Sequence, residues 1–245
     1  MGTGFNNAVN AIALARDGSG DIYVGGDFSA YNSMASNKII RLNNNGSADT
    51  AFAVGTGFYG SVNVIAPAGV SGDIYVGGNF TTYNGAIRNN IIRLNDNGSA
   101  DTDFVIGTGF GGPVKAIALA DVSEDIYVGG GFTTYNNASS NRIIRLNDNG
   151  SADTAFVIGT GFNGSAVDAI APAGDGSGDI YFGGSFTLYN GVGRDRIIRL
   201  NADGSVDTAF AIGTGFNGPV NEIVPVGDGS GDISTSAAGL VATRA

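Results

Sequence analysis

Asp21-Ile22-Tyr23-Val24-Gly25-Gly26-Asp27-Phe28 places β-branched and aromatic residues directly after the turn cluster Asp17-Gly18-Ser19-Gly20. That composition favours a β-strand entered through a tight turn. The preceding stretch, Val9-Asn10-Ala11-Ile12-Ala13-Leu14-Ala15, alternates two apolar sets and reads as a strand buried on both faces. The two segments form a hairpin. A polar connector from Ser29 to Asn37 then leads into Lys38-Ile39-Ile40-Arg41-Leu42, a third strand. Asn45-Gly46 supplies a hairpin turn, and Thr50-Ala51-Phe52-Ala53-Val54 reads as a fourth strand.

The whole block recurs. The word Gly-Thr-Gly-Phe begins at Gly2, Gly55, Gly107, Gly159 and Gly213, so the spacings are 53, 52, 52 and 54 residues. Self-similarity at a fixed period marks units that bury their apolar faces only against their neighbours. Four strands per period with no helical pattern predict an all-β chain: a β-propeller of four-stranded antiparallel blades, in which only short strand edges remain open. The expected organisation is a single domain over 1–245, with repeats 2–54, 55–106, 107–158 and 159–212 and a partial, divergent fifth at 213–245. In that fifth copy Ser234-Thr235-Ser236-Ala237 replaces Tyr-Val-Gly-Gly, and the later strands have no counterpart. The expected ring is five-bladed with a last blade that is reduced, or is completed by another chain or by missing sequence, and a protein partner or self-association through this incomplete repeat is expected.

The joint pattern Gly107 to Phe110, Val114, Ile117, Ile126 to Phe132, Tyr135-Asn136, Ile143 to Asn147 and Asn149 to Asp153 resembles the delta-60 repeat family. The resemblance covers residues 2 to 212 and implies a β-propeller from bacterial, often secreted or cell-surface proteins. One departure is Asp21, Asp73, Asp125 and Asp179 before the second strand, where the family is expected to favour Lys.

Composition bounds the chemistry. The net charge is −10, with 12 Lys and Arg scattered through the repeats, which disfavours nucleic acid and anionic membranes as partners. Without Cys or His there are no disulfides, thiol nucleophiles, Ser-His-Asp triads or usual zinc ligands. No apolar run is long enough to insert into a membrane, and no signal peptide is visible at Met1 to Phe5.

Several periodic motifs have two readings. Asp17, Ser19 and Asp21, with Asp121, Ser123 and Asp125 and with Asp175, Ser177 and Asp179, place alternate oxygen ligands in Gly-containing loops, a pattern suited to calcium. The competing reading needs no cofactor: hairpin turns whose Asp and Ser side chains bond nearby backbone. Gly69 stands in place of the first Asp in the second repeat. Arg41, Arg93, Arg145 and Arg199 lie in an apolar Ile-Ile-Arg-Leu setting and call for partners, for which Asp49, Asp101, Asp153 and Asp207 are placed as structural staples. Gly-x-Gly-x-x-Gly at Gly55, Gly107, Gly159 and Gly213 precedes a strand rather than a helix, so it reads as a crossing between blades and not a dinucleotide site. Asn45, Asn97, Asn149 and Asn163 open formal glycosylation sequons that double as turn residues.

The function expected from these features is that of a non-enzymatic structural or surface scaffold making protein contacts. A multivalent carbohydrate binder using Phe28, Tyr31 and their repeats is the alternative, weakened by the absence of Trp. An enzyme is disfavoured because periodic carboxylates sit in like environments, whereas acid-base pairs need unlike ones.

Overall fold

The computed structural model describes residues 2–69, 71–121 and 123–237. Among these there is no helix, hence none long and apolar enough to cross a membrane. The strands are antiparallel wherever they pair. The first repeat contains β1 (Val9–Leu14), β2 (Ile22–Gly26), β3 (Ala30–Tyr31), β4 (Met34–Ala35) and β5 (Ile39–Leu42). The second contains β6 (Phe58–Pro67), β7 (Ile74–Tyr83), β8 (Ala86–Ile87) and β9 (Ile91–Leu94). The third contains β10 (Val114–Leu119), β11 (Ile126–Gly130), β12 (Thr134–Tyr135), β13 (Ala138–Ser139) and β14 (Ile143–Leu146). The fourth contains β15 (Val167–Pro172), β16 (Ile180–Gly184), β17 (Leu188–Tyr189), β18 (Val192–Gly193) and β19 (Ile197–Leu200), and the fifth β20 (Val220–Pro225) and β21 (Ile233–Ala237).

Two compact units divide the chain, Met1–Ile117 with Tyr135–Asn137, and Ala118–Thr134 with Ala138–Ala245. In the first unit the sheets run β1-β2-β5 and β6-β7-β9, with β8 on the far end of β7. In the second, β11 pairs with β14, the next sheet runs β15-β16-β19, and the last is the two-stranded β20-β21. Residues beyond Ala237, on which part of the expected fifth blade falls, lie outside the described residues.

Glycine decides how the sheets stack within each unit. A Cβ on Gly25 would lie 2.4 Å from Val62 Cγ1, and one on Gly77 2.5 Å from Val114 Cγ1. In the second unit the corresponding distances are 2.6 Å for Gly129 to Val167 and 2.6 Å for Gly183 to Val220. From the second repeat on, the Val of each Val-x-x-Ile strand therefore sits on the glycine of the sheet before it, at a separation only hydrogen permits. Val62, Val114, Val167 and Val220 are buried completely as a result.

Three expectations change. The fourth strand at Thr50–Val54 does not form; the fourth element shrinks to single bridges, Leu42 to Ala48, Leu94 to Ala100, Leu146 to Ala152 and Leu200 to Val206. The physical reason is local. Asp49 Oδ1 accepts the Ala51 N–H at 2.9 Å and turns the chain, after which Ala53 N–H bonds Asn97 O of the next repeat. The connector expected to be irregular holds a small hairpin, because Asn32 and Ser33 (φ 48° and 67°), or Asn84 and Gly85 (φ 51° and 79°), occupy the left-handed conformations of a two-residue turn. Finally, β1 is not buried on both faces: Ile12 is 65% and Leu14 66% exposed, and no sheet among the described residues offers them a glycine seat.

Candidate functional site

The chemistry-bearing residues gather around the four arginines. Cross-strand register sets Arg41 opposite Tyr23 and Arg93 opposite Tyr75, and likewise Arg145 opposite Tyr127 and Arg199 opposite Tyr181. Opposed residues share one face of a sheet, so each guanidinium lies over its tyrosine ring, 5.4 to 5.8 Å from the centroid.

Carboxylates complete each cluster. Arg41, with 9% of its side chain exposed, contacts Asp17 at 2.5 Å, Asp21 at 3.0 Å and Asp49 at 3.3 Å. Arg199 repeats this with Asp175 at 2.6 Å, Asp179 at 2.9 Å and Asp207 at 3.3 Å. Arg93 binds Asp101 at 2.5 Å, and Arg145 binds Asp153 closely with Asp125 at 3.7 Å. Pairing of this kind offsets the cost of withdrawing a guanidinium from water. Asp17 and Asp175 are held down at about 2, chiefly because Ser19 and Ser177 donate side-chain and backbone hydrogen bonds to them, with the arginines adding to the effect.

The sequence analysis placed Asp17, Ser19 and Asp21 and their repeats as oxygen ligands. In the structure their oxygens face hydrogen donors. Asp17 Oδ1 accepts from Ser19 N–H and Oγ–H, while Asp17 Oδ2 meets Arg41. Asp21 Oδ2 accepts from Arg41 Nε and its Oδ1 from Asn44 N–H. Asp175, Ser177 and Asp179 repeat the pattern around Arg199. In the third repeat Asp121 Oδ2 accepts the Gly174 N–H at 3.2 Å, and Asp125 N–H donates to Ser123 Oγ. The three carboxylates that meet around Arg41, or around Arg199, enclose a guanidinium, and among the described residues no group of three acidic side chains is placed to hold a metal ion.

A second role of the tyrosines was not foreseen. Arg41 Nη1 donates to Tyr23 Oη, whose proton goes to Gly72 O of the following repeat at 2.6 Å. Tyr181 Oη donates likewise to Gly231 O at 2.6 Å, beside Arg199 Nη1. In the third repeat Arg145 Nη1 itself reaches Ala202 O at 2.9 Å. The staple within one sheet is therefore also a latch onto the next. The sequence held a signal for this, since tyrosine and arginine recur at one common period.

The other motifs resolve into framework. Tyr31, Tyr83 and Tyr189 donate to the carbonyls of Gly46, Gly98 and Gly204 in the Asn-Gly or Asp-Gly turns. Burial pushes the phenols of Tyr135 and Tyr189 up to about 12. Asn45 Oδ1 accepts from Ser47, and Asn163 bonds Thr187 and Leu188. Gly57, at φ 68°, passes so close to Asn37 that a Cβ would sit 2.5 Å from its carbonyl oxygen, and strand β6 follows it directly. The aromatic set considered for sugars is packed inward: Phe28 is wholly buried, and its ring and that of Tyr31 stack on Phe5 at 4.5 and 4.7 Å. Phe5 thus packs against both rings, with Tyr31 half-buried.

Comparison with known proteins agrees with this framework. A family model described as "Domain of unknown function (DUF5122) beta-propeller" matches residues 18–52, 71–104, 125–156 and 176–210, more than half of the chain. Each match runs from the acidic hairpin through the Arg strand to the phenylalanine beyond it. Among solved structures, the chain is similar to the crystal structure of the Niastella koreensis GH74 enzyme, with a TM-score of 0.51 and 16% identity. That likeness covers 91% of this chain and 32% of the other, so the chain spans about a third of its length, and at such identity it speaks for the fold alone. No curated protein matches in sequence. The chain belongs to the DUF5122 β-propeller family, and its fold is an all-β propeller of antiparallel blades.

Proposed function

We propose that this propeller is a non-enzymatic scaffold that works through protein contacts, in an extracellular or cell-surface setting. The narrower grouping with delta-60 repeats, which rests on the shared Ile-Tyr-Val-Gly-Gly and Ile-Ile-Arg-Leu-Asn words, belongs to the same reading. The observation that carries it is the open apolar face of β1. Val9, Ile12 and Leu14 are exposed, whereas the matching Val62 and Ile65, or Val167 in the second unit, are buried under a neighbouring sheet. A surface whose sequence equivalents are all interfaces has the composition of an interface itself. Met34, Ile87 and Val192 add exposed aliphatic tips on the small hairpins, rigidly carried by the sheets beneath.

The carboxylates support the same reading, because those of the first and fourth repeats surround arginine with the same partners at matching distances. Acid-base chemistry needs two groups driven apart in pKa, whereas Asp17 and Asp175 are driven the same way. The test is photo-crosslinking of the full chain in its native setting, beside Ile12→Asp. Retained folding with loss of the crosslinked species is the expected result. Equal crosslinking by both proteins would overturn the assignment of the β1 face.

A further inference from the structure

In the second unit a groove of about 330 Å³ opens between the connector that ends at Arg142 and the small hairpin β17-β18. Arg142, Asn141, Thr160, Asn163 and Leu188 contribute to its walls. Asn141 Nδ2 donates to Thr160 O at 2.9 Å, and Asn163 Nδ2 donates to Thr187 Oγ1 at 2.9 Å. Each amide group thereby keeps a second N–H that is not engaged among the described residues.

Arg142 differs from its equivalents in the other repeats. Lys38, Asn90, Arg142 and Arg196 all precede an Ile-Ile-Arg-Leu strand and share a positive φ, between 68° and 72°. Three of them are tied to backbone: Lys38 Nζ donates to Asp27 O at 2.7 Å, Asn90 Nδ2 to Phe110 O at 2.9 Å, and Arg196 Nη1 to Ser185 O and Phe186 O. Among the described residues the guanidinium of Arg142 forms no hydrogen bond and no ion pair, and its Nε is closed off from solvent. Arg196 Nε is shielded in the same way, but its Nη1 is already spent. A shielded N–H without an acceptor is costly and calls for a water or a ligand. The contrast with the rest of the chain is sharp, because Arg41, Arg93, Arg145 and Arg199 all hold carboxylates, whereas the groove at Arg142 has no acid in its lining.

Two comparable grooves mark what is particular to this one. In the first unit, the groove of about 390 Å³ beside Asn37, Thr56 and Tyr59 has no charged residue in its lining. Further along the second unit, the groove of about 470 Å³ beside Arg194 and Thr214 brings Asp195 and Asp207 with its arginine. One guanidinium with no acid and no second cation matches a monoanion, and its planar fork matches a carboxylate. We propose that the groove at Arg142 binds the carboxylate of a small ligand, with the Asn141 and Asn163 amides donating to the ligand's other oxygens. A free acid and a sugar acid share this chemistry. The site goes beyond the interaction-scaffold reading and does not depend on the β1 face.

The probe is glucuronate, titrated into the full chain while NMR follows the arginine Nε–H and backbone signals, with acetate, glucose and sulfate as comparison ligands. A saturable shift of the Arg142 signal is expected, identified by its absence in Arg142→Asn, and binding should weaken with salt. Arg142→Asn should fold like the parent, because Asn90 holds the same backbone conformation (φ 69°) in the second repeat. Its affinity should fall at least about tenfold, since a charge-assisted bidentate contact is removed. Arg196→Asn should leave the affinity unchanged. Glucuronate binding more tightly than acetate assigns the groove to a sugar acid and equal affinity assigns it to a free acid, and both uphold the carboxylate site. Glucose binding as well as glucuronate, sulfate binding more tightly than either acid, full affinity in Arg142→Asn, or no saturable shift at millimolar ligand each overturns it. Crosslinking through the β1 face is untouched by any of these results, so the groove and the scaffold reading fail separately.

Discussion

Gly129→Ala is the sharpest probe of the stacking rule. The added methyl would lie 2.6 Å from Val167 Cγ1, 2.9 Å from Ile170 Cδ1 and 3.1 Å from Val167 Cβ, all in the neighbouring strand β15. Gly129 is not at positive φ, so the backbone itself accepts alanine and the penalty is steric. Overpacking a close-packed interface by one methyl costs about 1–3 kcal/mol. In a chain of this size that corresponds to a fall in melting temperature of roughly 2–4 °C for each kcal/mol. Val167→Ala alone also destabilises, by opening a cavity, at a cost of about 1–3 kcal/mol. Combined, the two substitutions exchange the volumes of facing groups, so the double variant should be less destabilised than the sum by about 0.5–3 kcal/mol. Gly193→Ala is the control, since nothing lies within 4 Å of its would-be Cβ and its φ is not positive; its stability should shift by less than about 0.5 kcal/mol. Chemical denaturation followed by circular dichroism measures all four proteins. Additivity of Gly129→Ala and Val167→Ala, or a Gly129→Ala protein as stable as the parent, would refute the claim that glycine sets the distance between sheets.

Arg199→Met should destabilise by about 3 kcal/mol or more, because Asp175, Asp179 and Asp207 lose their common cation, and Arg199→Lys should recover only part of this, since one ammonium cannot span the three carboxylates; denaturant titration reads both. The acid limb of stability should run unusually low. Asp17 and Asp175 have folded-state values of about 2 against 3.8 for the free group, so their contribution is complete above pH 4 and is lost as pH falls through 2. Asp17→Asn with Asp175→Asn should flatten the decline in melting temperature between pH 4 and 2, and an unchanged slope would contradict the pairing. Millimolar calcium should leave the melting temperature where a chelator leaves it, because the hairpin carboxylates already hold guanidinium; a rise with calcium would return those loops to the metal reading.

The parts of the fold legible in the sequence are those enforced by composition at a fixed period. Ile-Tyr-Val-Gly-Gly announces a strand through its β-branched and aromatic residues, and its glycine must have a reason when it sits inside a strand; the reason is Val62, Val114, Val167 and Val220 in the next sheet. A lone arginine in Ile-Ile-Arg-Leu announces a partner by its burial cost, and Asp49, Asp101, Asp153 and Asp207 do lie against it. What the sequence could not rank was the competition for Asp17 and Asp175. Oxygen ligands spaced for a cation are equally spaced for a guanidinium, and the Arg that meets them lies 24 residues along the chain, reached only through cross-strand register. The latch from Tyr23 to Gly72 was hidden for a similar reason, since a strand tyrosine first reads as core. Thr50–Val54 looked like a strand by propensity, but Asp49 redirects the backbone one residue earlier.

Near-identical repeats turn their own exceptions into information. A residue that recurs four times with a partner in the neighbouring sheet defines what that partner must look like. Where the recurrence breaks, the unmatched half still carries the specification. Ile12 has the geometry of a residue seated on glycine, with no glycine beneath it among the described residues. Asp228 and Asp232 retain the spacing of a guanidinium cradle, beside a serine that has vacated the space of a tyrosine. It is on the first of these exceptions, the exposed β1 face, that the proposed contact surface rests.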